Sequence, residues 1–161
     1  PGGALLSELA RDGDASKYPL PKPMINSDDL DFSFSGLKTA VAHLVQKLNG
    51  PKVRDPKTLK ADIAASFQDS VTEVLTEKCY RALRLDGAKS LVIAGGVGAN
   101  TELRRKINEK ANTIGCKAYY PPFEFCTDNG AMVALIGALK INEGIYGANP
   151  FDIKPKWPLG A

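Results

Sequence analysis

A chain of 161 residues, 43% apolar and 24% charged with a formal net charge of +3, has ordinary globular composition. That excludes a disordered tail, a fibrous repeat and a coiled coil, and no apolar run reaches the ~18 residues of a membrane-spanning helix. Three widely spaced cysteines form no CxxC pair, and Pro1-Gly2-Gly3 resembles neither part of a signal peptide, so a reducing, cytoplasmic setting is expected.

Residues 1–31 read as irregular, because Pro19, Pro21 and Pro23 oppose helix; a short helix near Ala4–Arg11 is the exception. Leu37, Val41, Leu44, Val45 and Leu48 predict a helix over 35–48, broken by Gly50-Pro51. Pro56 opens the longest element, expected over 57–85. Its stripe of Ile63, Phe67, Val71, Leu75, Cys79 and Ala82 should face the core, and Asp86-Gly87 should stop it. Ser90–Ala94 is a short continuous apolar run, the pattern of a buried parallel strand. A helix over 101–111, a strand over 117–120 and a helix over 129–141 follow. The last is apolar nearly all round, so it should be buried. The tail, 146–161, has three prolines and no periodicity. The element order is α/β, with too few strands for a complete doubly wound sheet. Without an initiator Met, the chain reads as part of something longer.

Chemistry concentrates in a few places. Gly95-Gly96-Val97-Gly98-Ala99-Asn100 lies between a strand and a helix. Glycines there let backbone approach a ligand, and a helix N-terminus favours an anion, so a phosphate or adenylate fits. A tight turn capped by Asn100 fits as well. The sequence is neither the dinucleotide fingerprint nor a P-loop. Asp128, in Cys126-Thr127-Asp128-Asn129-Gly130, is either a metal or phosphate-site acid or a helix cap, and one carboxylate can serve both roles. Ser33 and Ser35 have a single histidine, His43, to act as base, and the pattern favours a structural role for it. That one histidine also excludes a site built from histidines of this chain alone. Two basic runs, Lys47/Lys52/Arg54/Lys57/Lys60 and Arg104/Arg105/Lys106/Lys110, are either solvated faces or contacts to a phosphate backbone.

FSFSGLKTA (32–40), ADIAASFQ (61–68), VIAGGVGAN (92–100) and FCTDNGAM (125–132), in this order and spacing, resemble the TsaD family, and Trp157-Pro158-Leu159 fits its bacterial branch. The resemblance implies an actin-like ATPase (ribonuclease H-like) α/β fold of two lobes, with this chain as the C-terminal half. Residues 1–31 would join from the other lobe, 32–145 would form the C-terminal lobe and 146–161 the tail. It implies an enzyme that transfers threonylcarbamoyl from threonylcarbamoyl-adenylate to the exocyclic amine of the adenosine beside the tRNA anticodon. Under it, Gly3, Gly95, Gly96 and Asn100 bind the adenine nucleotide or the adenylate. Asp128 joins two histidines of the N-terminal lobe around one divalent metal, iron or alternatively zinc. Implied partners are tRNA and, in bacteria, the inert actin-like paralogue TsaB and the ATPase TsaE. Ala4 departs from the proline the family often has there. The larger departure is the missing lobe with its histidine pair, so these residues alone are expected to be inactive. Competing readings are a non-catalytic interaction module and the metalloprotease of the family's older name, O-sialoglycoprotein endopeptidase. An inert paralogue would be expected to lack the aspartate of CTDNG, which is intact here. A zinc protease would show HExxH or a comparable ligand set, and none is present.

Overall fold

The computed structural model describes residues 2–48 and 55–145. Trp157-Pro158-Leu159, the tail, Gly50-Pro51, Lys52 and Arg54 lie outside them. Two compact units divide after Cys126.

The axis of the first unit is a helix, α3, Pro56–Asp86; α1 is Gly2–Ala10 and α2 is Ser35–Leu48. Asp55 starts α3 by accepting the N–H groups of Lys57 and Thr58, and Pro56 follows it where no N–H is needed. Gly87 ends it at φ 70°, and its N–H returns to the Leu83 carbonyl at 2.9 Å.

The packing of α3 differs from the expected stripe. Ile63, Phe67, Val71, Leu75, Cys79 and Ala82 are only partly buried. The buried positions are smaller or polar and include Ala61, Asp62, Ala64, Ala65, Ser66, Ser70, Val74 and Lys78. The reason is segment 11–31, which runs beside α3 and hydrogen-bonds to its polar rungs. Asp62 Oδ1 accepts the Asp14 N–H at 2.8 Å, and Ser66 Oγ donates to the Ala15 carbonyl at 2.9 Å. Further along, Ser70 Oγ reaches the Leu20 carbonyl, and Lys78 Nζ donates to Ser27 Oγ and the Asp29 carbonyl, both at 2.7 Å. Gly13 is required where this segment meets α3, since a Cβ there would land on the Ala61 carbonyl. An irregular backbone is thus held by side chains in place of a ladder.

The short helix expected near Ala4–Arg11 is present as α1, Gly2–Ala10. Leu6, Leu9 and Ala10 of α1 pack on Ala64 and Ala65, whose small side chains allow close approach.

Strands β1, Ser90–Val92, and β2, Lys117–Tyr119, pair in parallel with Leu91 opposite Ala118. Between them runs α4, Thr101–Thr113, completing a βαβ unit. Leu91 and Ile114 pack against buried Leu83, Ala111 and Cys116. The expectation that Ser90–Ala94 is buried on both faces is corrected: Ser90 and Val92 are exposed. A two-stranded sheet with alternating burial has only one covered face.

In the second unit, α5 is Gly130–Asn142. None of its residues is buried, against expectation, and Val133 is 74% exposed. Its apolar composition calls for burial but does not specify what provides it. Among the described residues no helix is long and apolar enough to cross a membrane.

Candidate functional site

Backbone conformation defines the glycine loop. Gly95 has φ 81° and ψ 174°, a region that essentially only glycine occupies. A 3-10 turn over Gly96–Ala99 follows, closed by the Gly98 N–H on the Gly95 carbonyl at 2.9 Å. Gly96 and Val97 lead this turn, so their N–H groups have no partner within it. Cβ atoms placed on Gly95 or Gly96 would meet nothing within 4 Å. The loop is therefore open on its outer side.

Asn100 both ends the loop and caps α4. Its Oδ1 accepts the Leu103 N–H at 2.9 Å. Its Nδ2 donates to Ser7 Oγ on α1 and to Gln68 Oε1 on α3, each at 2.9 Å. Gly3 lies on α1 one turn before Ser7, about 6 Å along the axis. It is exposed, with open space about its Cα. As one of the first residues of α1 it carries an N–H without an intrahelical acceptor. Asn100 thus ties the glycine loop to the helix bearing Gly3, which brings four of the expected residues, Gly3, Gly95, Gly96 and Asn100, into one region.

Arg104 holds the other flank. Its Nε donates to the Gly98 carbonyl at 2.6 Å, and Nη2 reaches the Pro121 carbonyl at 2.9 Å and Cys126 Sγ at 3.3 Å. The guanidinium lies 4.8 Å from the Tyr120 ring and 4.1 Å from that of Phe123. Burial pushes the Tyr120 hydroxyl upward in pKa, with Arg104 opposing.

The rest of the basic run on α4 is also engaged. Arg105 is forked between Glu102 and Glu109, both at 2.6 Å. Lys106 bonds Asp69 at 2.6 Å and Glu73 at 3.0 Å, and Lys110 bonds Glu77 at 2.8 Å. These three cations are therefore paired with carboxylates of the chain and do not form an unpaired cationic face. Lys47, Lys57 and Lys60 of the other run are exposed.

In the second unit, Asn129 caps α5, its Oδ1 accepting the Met132 N–H at 3.0 Å. Asp128 is exposed and is not the cap. Among the described residues no three histidine, cysteine, aspartate or glutamate side chains gather as a metal ion requires. Asp128 is thus one oxygen donor, and these residues do not form a metal site by themselves. His43 is exposed on α2, while Ser33 and Ser35 pair their hydroxyls with each other at 3.1 Å. No Ser/His pair results.

Ser7, Gln68 and Arg104 complete the region, and none was singled out for it in the sequence. Gln68 closes the ADIAASFQ segment, and Arg104 lies within a charge run; both signals are visible but carry no partner information. The groups around the loop are amides, a hydroxyl and backbone N–H donors, which suit binding by hydrogen bonds.

These features define an α/β protein with a strand–glycine turn–helix unit buttressed by two further helices. A family model, tRNA N6-adenosine threonylcarbamoyltransferase (TsaD), matches residues 1–135, and the chain belongs to that family. Proteins bearing the same name are similar to it. That of Polynucleobacter asymbioticus is 49% identical, over 99% of this chain and 46% of its own length. That of Methylobacillus flagellatus is 47% identical over the same shares. That of Nitrosomonas europaea is 48% identical, over 99% of this chain and 47% of its own. The chain spans about half the length of the curated relatives it matches.

Proposed function

We propose that this chain is the nucleotide-binding, C-terminal half of a two-lobed, actin-like enzyme. It transfers threonylcarbamoyl from threonylcarbamoyl-adenylate to the exocyclic amine of the adenosine beside the tRNA anticodon. The observation that carries this is the open glycine turn, with Gly95 at φ 81°, tied through Asn100 to the helix bearing Gly3. Family membership supports the substrate class.

In the transfer, the amine nitrogen bonds the carbamoyl carbon, the bond from that carbon to the phosphate oxygen breaks, the amine gives up a proton and AMP leaves. This chain's part is to hold the adenylate side. The N–H groups of Gly96, Val97 and Gly3 meet phosphate or ribose oxygens, aided by the positive end of α1. Because the α4 cations are engaged, exposed lysines elsewhere, among them Lys38, Lys47, Lys57 and Lys60, are the side chains that would meet the tRNA backbone. Asp128 contributes one ligand to an iron or zinc ion whose other ligands come from outside this chain. A tRNA substrate places the reaction in the cytoplasm, where the bacterial partners would be TsaB and TsaE.

Gly96→Val in the full-length protein tests the reading. A Cβ at Gly96 meets no protein atom within 4 Å, so a branched side chain would extend from the open side of the loop. ADP binding is expected to fall at least roughly tenfold, or about 1.4 kcal/mol, with an unchanged melting temperature. Transfer from supplied adenylate to unmodified tRNA should fall with it. Unchanged ADP affinity would overturn the nucleotide role of the loop.

A further inference from the structure

The hydrogen-bond network at the end of the glycine loop has a direction, and a backbone group sets it. The Leu103 N–H can only donate, so the Asn100 atom 2.9 Å from it must be Oδ1. Nδ2 then faces the other way, and both of its hydrogens are engaged, one on Ser7 Oγ and one on Gln68 Oε1. Because Nδ2 can only donate, Gln68 must present its oxygen. Its own Nε2 makes no hydrogen bond among the described residues. Gln68 is partly buried on α3, beside the residue that closes the loop. Its Nε2 is not one of the buried, unpartnered side-chain atoms, so solvent, or a ligand in its place, can reach that donor.

We propose that Gln68 is a nucleotide-contacting residue, its Nε2 donating a hydrogen bond to an oxygen acceptor of the adenine nucleotide. This rests on the nucleotide reading of the glycine loop. It also divides the labour between the two amides. Both Nδ2 hydrogens of Asn100 are engaged, so Asn100 can meet the ligand only by accepting through Oδ1, while Gln68 supplies the donor. The two lie on different helices, so ligand, α3 and α4 become linked through one pair of side chains.

Gln68→Glu in the full-length protein separates contact from scaffold. A glutamate keeps an oxygen for Asn100 Nδ2, in a charge-assisted and hence stronger form. It replaces the outer donor by an acceptor. The expected result is ADP affinity reduced at least roughly tenfold by calorimetric titration, with a melting temperature equal to or above that of the wild type. Gln68→Leu, which removes donor and acceptor without adding charge, should also weaken ADP by several-fold, with a lower melting temperature. Wild-type affinity in either variant overturns the proposal. The Gly96→Val protein, titrated in parallel, tells the two readings apart. If Gly96→Val loses ADP and Gln68→Glu does not, the loop binds nucleotide and Gln68 is only its support. If Gly96→Val binds normally, the nucleotide reading fails and Gln68 falls with it.

Discussion

At the scale of single residues, two asparagines show how similar local sequence can conceal different roles. Asn100 and Asn129 both cap helices, accepting the N–H three residues ahead at 2.9 and 3.0 Å. Asn129 Nδ2 turns back to the nearby Thr127 carbonyl, whereas Asn100 Nδ2 bridges to residues 93 and 32 positions away. Loss of a cap costs about 0.5–2 kcal/mol. Each further hydrogen bond is worth about 0.5–1.5 kcal/mol. Asn129→Ala should therefore cost about 1 kcal/mol and Asn100→Ala about 2–3 kcal/mol. Denaturant unfolding of both variants, followed by hydrogen exchange at α4 and α5, checks this. Equal losses would mean that the Ser7 and Gln68 bonds contribute nothing and that α1 is held by apolar packing alone. The turn chemistry around Asn100 was legible in the sequence, and so was a cap at the start of α4. Its long-range partners were not, because nothing local in a sequence records which helix supplies a second hydrogen-bonding group.

At the scale of elements, α3 and α4 are joined by a charged ladder. Asp69, Glu73 and Glu77 recur at four-residue spacing on α3 and meet Lys106 and Lys110 of α4. Lys22 adds a second cation on Asp69 at 3.1 Å. Burial pushes the Asp69 carboxyl upward, but hydrogen bonds from Lys106 and Lys22 outweigh it and leave the group below its ordinary 3.8. Burial pushes Lys106 downward, yet its bonds to Asp69 and Glu73 outweigh that and hold it above its ordinary 10.5. A carboxyl depressed on folding stabilises above its unfolded pKa, and that contribution is lost as pH falls through the folded value. An ammonium raised on folding stabilises below its unfolded pKa, and that contribution is lost as pH rises through the folded value. Melting temperatures of wild type and Lys106→Met should therefore differ most between roughly pH 4 and 10 and converge beyond either end. A constant difference across the range would mean that Lys106 acts through its methylenes and not its charge. The sequence showed the helices and their limits because periodicity, Pro56 and Gly87 are local signals. It misplaced the buried face of α3. The rungs Asp62, Ser66, Ser70 and Lys78 look solvent-facing until segment 11–31 is laid beside them, a non-local fact.

At the scale of the whole molecule, the described residues supply an open glycine loop but not a full set of catalytic groups. The chain has one histidine, exposed on α2, and Asp128 stands without companions of the kind a metal ion needs among the described residues. One carboxylate is a weak ligand on its own; catalytic metals such as zinc are held by three protein ligands with one position left open. The groups around the glycine loop are amides, a hydroxyl and backbone N–H donors, and among the described residues none forms an acid–base pair there to take the proton that the amine would lose in the proposed transfer. The 161 residues alone are therefore expected to leave unmodified tRNA unchanged when given threonylcarbamoyl-adenylate, under conditions in which the full-length protein modifies it. Mass spectrometry of digested tRNA reads the product directly, and equilibrium dialysis of iron or zinc with the 161-residue chain reads the metal. No product and no stoichiometric metal is the expected pair of results. Product formed without metal would mean that the transfer needs only the adenylate held at the glycine loop, and Asp128 would lose its assigned role. Metal bound stoichiometrically by the 161 residues would mean that Asp128 finds its companions within this chain, and the search would turn to His43 and the cysteines.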